Sequence, residues 1–212
     1  MQYLNISEPN FETRFKHLLA RKTKNSINIE KDVKNIITDV CARGDEALID
    51  YTYKFDQFDL KKNTIKLDQK TIDEACASIP NEQFEALVLA NQRITEFHMR
   101  QKPGDDFYHD RHGNALALKW KPIENVGLYV PGGTAAYPSS VLMNAVPARA
   151  AGVKRIAMVV PTQKGYINPL VLAAASLNNI DEIYRIGGVQ AIGIDDGELF
   201  PGRCGLMHTR HH

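Results

Sequence analysis

Cysteine is scarce in this chain: three residues in 212 positions, Cys41, Cys76 and Cys204, with no Cys-x-x-Cys spacing among them. So sparse and odd a set argues against a disulfide framework and against a cysteine zinc site. It favours a reducing compartment, and the cytoplasm is the expected location. An excess of either charge is also missing, with 26 Lys+Arg against 25 Asp+Glu and a net charge of +1. A near-neutral chain lacks the basic footprint of a nucleic-acid binder. Its densest basic patch, Arg21-Lys22-Thr23-Lys24, is short and reads as solvated surface. No apolar run approaches the roughly 18 residues that a membrane helix needs. The start, Met1-Gln2-Tyr3-Leu4-Asn5, lacks the charged-then-apolar layout of a secretory signal. What is present is an ordinary globular balance, 43% hydrophobic and 24% charged, in a chain long enough for one large domain or two small ones.

After an N-terminal extension over 1–27, residues 28–122 read as mainly helical. Val33, Ile36, Ile37, Val40 and Cys41 recur at the spacing of one helical face. Gly44 is placed to close that helix and Asp45 to cap the next, whose apolar stripe is Ala47, Leu48, Tyr51 and Phe55. Residues 65–67 alternate like a short strand. Asp68 precedes a helix over 71–77, and a longer one is expected over 81–99, with Phe84, Leu87, Val88, Asn91, Ile94 and Phe97 on one face. Pro103-Gly104-Asp105-Asp106 breaks the pattern, and residues 115–120 alternate like a strand leading into the second half.

Residues 123–192 follow a different grammar. Apolar runs at 126–130, 155–160 and 182–186 are separated by helix-like stretches, the first starting at Ser139 or Ser140 and the second over 169–177. Pro147 inside the first stretch predicts a kink or a late start. Strand, helix, strand, helix, strand at this spacing is the βαβαβ plan of a parallel sheet, with both helices on one face. The expected fold is α/β, a helical N-terminal part followed by an incomplete Rossmann-like parallel domain.

In an open parallel sheet, ligands bind beyond the carboxyl ends of the strands. Each such end here carries turn residues: Pro131-Gly132-Gly133, Pro161-Thr162 and Gly187-Gly188. Glycine at these points removes the side chain where a ligand meets backbone. Tyr129 and Gln190 flank two of the ends, one offering a ring to pack on a cofactor and the other an amide that both donates and accepts. Turn geometry, a core tyrosine and a helix-start glutamine are the plainer readings of the same residues, and no G-x-G-x-x-G fingerprint decides between them.

The run Asn125-Val126-Gly127-Leu128-Tyr129-Val130-Pro131-Gly132-Gly133-Thr134-Ala135 resembles the strand-and-loop motif of histidinol dehydrogenases. Residues 140–145, 147–148 and 151–154 continue the likeness, as does Ile186-Gly187-Gly188-Val189-Gln190-Ala191-Ile192. Upstream, Ala42-Arg43-Gly44-Asp45-Glu46-Ala47-Leu48, Lys54-Phe55-Asp56 and Ile94-Thr95-Glu96-Phe97-His98 fall in the family's order, so the resemblance spans about 28–192. It implies a homodimeric, NAD-dependent, zinc-containing enzyme that oxidises histidinol through the aldehyde to histidine. It also implies an ALDH-like pair of related α/β domains, with Tyr129, Gln190, Gly132 and Gly133 at the NAD site.

The likeness stops after Ile192, and residues 193–212 are expected to form a divergent, unstructured tail. The family's zinc ligands, its histidinol contacts and its Glu-His general base lie further on. The resemblance thus implies part of an NAD site, no catalytic or metal residues within these 212, and no turnover by this chain alone. His208, His211 and His212 near Cys204 have the right chemistry for zinc but no completing carboxylate. The competing expectation is a non-catalytic nucleotide-binding or interaction module built on the same fold.

Overall fold

The computed structural model describes residues 4–132 and 137–192 and the backbone of 204–207; within 19–28 it describes backbone alone. The helical part begins earlier than the sequence pattern suggests. Helix α1 (Phe11–Arg43) runs through most of the expected extension and ends at Gly44, whose φ of 56° favours a residue without Cβ. Helix α2 (Asp45–Asp56) follows at once. Asp45 does not cap it: Gly44 occupies that position, and Asp45 is the first helical residue, where its charge meets the positive end of the helix dipole. Helix α3 (Gln69–Ser78) starts directly after Asp68, two residues earlier than expected, and Asp68 Oδ1 caps it by accepting the Thr71 N–H at 2.8 Å. Helix α4 (Asn81–Met99) buries Leu87 and packs Ala90 and Ile94 against the core. Phe84 and Phe97, expected on that face, are 36% and 60% exposed, because the covered stripe is too narrow to reach the two ends of the apolar spiral.

Strand β1 (Asp106–His109) pairs antiparallel with β2 (Ala115–Leu118), so the alternating segment at 115–120 is half of an exposed hairpin and does not lead into the sheet. Its turn is held by Asp110, which accepts the His112 and Asn114 N–H groups at 2.8 and 2.9 Å.

The sheet is built from β3 (Asn125–Tyr129), β4 (Arg155–Val159) and β5 (Glu182–Tyr184), all parallel. Between them run α5 (Pro138–Ala151) and α6 (Pro169–Leu177). Neither Ser139 nor Ser140 caps α5: Tyr137 precedes it and Pro138 takes the first helical position, where a missing N–H costs nothing. The helix continues past Pro147, and Met143, whose carbonyl that residue cannot serve, lies on the exposed side. Residues 65–67 make only an antiparallel bridge, Lys66 to Tyr184, with the Leu67 N–H donating to the Ile183 carbonyl at 2.8 Å. Short helix α7 (Gly188–Ile192) closes the βαβαβ unit. Within the tail expected to lack structure, β6 (Cys204–Met207) lies parallel beside β3, giving the order β5-β4-β3-β6 and satisfying backbone groups along the β3 edge.

Strand residues alternate between two cores. Val126, Leu128, Ile156, Met158 and Ile183 face α5 and α6, which α3 and α4 cover from outside. Ala157, Val159, Tyr184 and Ile186 face the other way, toward Phe58, Leu60 and Ala191. Buried on both faces, the sheet reads as nearly continuous apolar runs. At its amino end Arg149 ties the layers together: it donates to the carbonyls of Lys154 at 2.8 Å and Asn178 at 3.1 Å and pairs with Asp181 at 2.9 Å. No described helix is long and apolar enough to cross a membrane.

Candidate functional site

At the carboxyl end, the three strands converge on Pro161. A Cβ added to Gly187 would lie 2.2 Å from Pro161 Cγ, and one added to Gly132 would lie 2.7 Å from the Pro161 carbonyl oxygen. Real Cβ contacts do not come so close, so the strand ends interlock only because both positions are glycine. Gly188 adds a second constraint, with φ of 65° and a hypothetical Cβ 2.7 Å from Gln190 Oε1. The glycines flagged in the sequence thus have packing reasons of their own. Gly133 lies outside the described residues, as do the side chains of Cys204, His208, His211 and His212.

Tyr129 and Gln190 are brought together here. The Gly188 N–H donates to the Tyr129 hydroxyl at 3.0 Å, linking the end of β3 to the start of α7. Burial pushes the Tyr129 phenol up, the Gly188 N–H offsets this in part, and the nearby Asp56 charge raises it further. Gln190 is fully buried, and neither its amide oxygen nor its amide nitrogen has a hydrogen-bond partner among the described residues. Leaving a buried polar group unpaired costs on the order of 1–3 kcal/mol. An apolar side chain would fill the space without that penalty, so the fold alone does not explain a glutamine at this position.

A further residue stands beside them that site reasoning from sequence passed over. Asp56, the last residue of α2, is 7% exposed. Burial raises its pKa, while the Thr162 N–H donates to the carboxylate and lowers it in part. Its Oδ2 has no partner among the described residues. The signal was present in sequence as a carboxylate spaced eight and four residues from Leu48 and Thr52, on the buried side of an amphipathic helix. Asp56, Gly132, Pro161, Gly188 and Gln190 all border one cleft of about 390 Å³, with Phe55 at its margin.

A larger hollow, about 720 Å³, lies between the end of α4, the hairpin side and the end of α5, lined by His98, Lys102, Trp120 and Gly152. It is remote from the strand carboxyl ends and gathers no unpartnered buried polar atoms. Among the described residues no group of three His, Cys, Asp or Glu side chains could hold a metal ion.

Comparison with known proteins gives a consistent picture. The family model described as histidinol dehydrogenase matches residues 19–194. Histidinol dehydrogenase of Brucella abortus (strain 2308) is 50% identical over 189 residues, which is 89% of this chain and 44% of that protein. That of Gluconobacter oxydans (strain 621H) is 48% identical over 193 residues, 91% of this chain and 45% of the relative. The crystal structure of histidinol dehydrogenase from Elizabethkingia anophelis superposes with a TM-score of 0.74 at 37% identity, covering 79% of this chain and 38% of that one. The chain therefore spans less than half the length of the relatives it matches.

Proposed function

The chain belongs to the histidinol dehydrogenase family, and from that membership we propose that its strand carboxyl ends form the NAD-binding wall of such an enzyme. The reading is supported most by Gln190, a fully buried amide whose two polar atoms lack partners beside the Tyr129–Gly188 bond. A dinucleotide carries the amide, ribose hydroxyl and phosphate groups that such an amide can pair with. The cradle also fits: Gly132 and Gly188 remove side chains at the cleft wall, and β3-α5-β4-α6-β5 has the connectivity of a Rossmann-like mononucleotide half, within the ALDH-like arrangement that the family resemblance implies.

In this reading Tyr129 holds the start of α7 through Gly188 and presents its ring to the cofactor, while Gln190 orients it by hydrogen bonds. Gly132 lets the end of β3 come close, and Gly133 joins it here on the family resemblance alone. Bound NAD supplies the hydride acceptor for the two-step oxidation of histidinol to histidine. Zinc, the substrate contacts and the Glu-His base are assigned to family sequence beyond the positions matched here. A second reading, a non-catalytic nucleotide-binding module on the same fold, would use the same cleft.

Calorimetric titration of NAD into the 212-residue chain tests the site. Saturable binding is expected, weakened about tenfold or more in Tyr129→Ala, with no NADH formed when histidinol and zinc are added. Absence of NAD binding would remove the cofactor reading. Robust turnover would show that the chain carries the full activity.

A further inference from the structure

Asp56 sits where a carboxylate is hard to accommodate. It is 7% exposed, it shares its helix face with Leu48 and Thr52, and it ends α2, at the negative pole of the helix dipole. The Thr162 N–H satisfies part of its acceptor capacity, and Oδ2 is left without a partner among the described residues. Among the described residues no Lys or Arg borders the cleft that Asp56 lines. Nothing in the packing of α2 therefore calls for a negative charge. Gln190, whose amide oxygen and nitrogen also lack partners among the described residues, lines the same cleft. The cleft thus holds free acceptor lone pairs and a group that both donates and accepts. A vicinal diol matches that pair of groups, since each hydroxyl donates one hydrogen bond and accepts another.

Resting on the NAD reading above, we propose that Asp56 is a further nucleotide-binding residue, whose carboxylate receives the hydroxyls of a ribose held between it and Gln190. The same charge selects against a phosphorylated ribose. A 2′-phosphate would bring about two negative charges to a buried carboxylate with no cation beside it among the described residues.

The test is calorimetric titration of NAD and of NADP into the full chain and its Asp56→Asn variant, with Thr52→Val as a control on the same buried face. Wild type is expected to prefer NAD, Asp56→Asn to bind NAD about tenfold more weakly with most of the discrimination lost, and Thr52→Val to match wild type. Thermal unfolding of each variant separates lost contacts from lost structure. If wild type binds NAD and Asp56→Asn leaves both affinities unchanged, Asp56 is no ribose contact although the dinucleotide reading stands. Equal losses in Asp56→Asn and Thr52→Val would likewise overturn the proposal, as a general effect of disturbing the face. If wild type binds neither dinucleotide, both readings fall together.

Discussion

A methyl group on Gly187 would have Pro161 atoms at 2.2, 2.5 and 2.8 Å, the last of them backbone, so no side-chain rotation relieves the clash. Gly187→Ala is therefore expected to destabilise the chain by about 1–3 kcal/mol, the usual cost of overpacking, measured as a lower midpoint in thermal unfolding. An unchanged midpoint would mean that the strand ends are not closed around Pro161. At the same scale, Thr52, Asp56, Asn91 and Gln190 hold buried atoms without a partner among the described residues, and of these Asp56 and Gln190 line the cleft. Most buried polar groups here have evident partners: Thr162 Oγ1 donates to the Val160 carbonyl at 3.1 Å, and Asn178 Nδ2 to the Ala174 carbonyl at 2.9 Å. Gln190 lacks both of its partners, and Asp56 one of its own, at the edge of a cleft.

Helix α6 begins at Pro169 because Asn168 precedes it, its Oδ1 accepting the Leu170 N–H at 2.9 Å. Asn168→Ala should cost about 1 kcal/mol, while Asn168→Asp, which keeps the acceptor, should cost much less. Equal losses in chemical denaturation would show that the cap contributes little. Elements whose signals are local were readable in advance: the α6 and α4 bounds of 169–177 and 81–99 and the three apolar strands. Elements that depend on distant partners were not. The 115–120 segment pairs with β1, which an alternation pattern cannot announce. The narrow stripe of α4 reflects what α5 and α6 cover. At the site, Tyr129 and Gln190 were legible from their place at strand ends. Asp56 was legible only as a carboxylate on the apolar side of α2; its place beside Thr162 arises when α2 packs onto the far end of the sheet.

Among the described residues, one end of the sheet is sealed and the other holds unpartnered polar atoms. Arg149 and Asp181 close the amino end with hydrogen bonds and an ion pair, whereas the carboxyl end collects glycines, the cleft and the unpartnered atoms of Gln190 and Asp56. That asymmetry, within a family whose other members are more than twice as long as the matched part, is the basis for reading this end as a nucleotide wall. The central claim is that the wall is kept polar for a ligand at the expense of the fold. Gln190→Leu tests this most directly, with stability and NAD affinity measured on the same protein. The account predicts opposite changes: a higher unfolding midpoint, from removing unpaired amide atoms worth about 1–3 kcal/mol, and NAD binding weakened at least about tenfold. A variant that unfolds more easily while binding NAD as wild type does would contradict it.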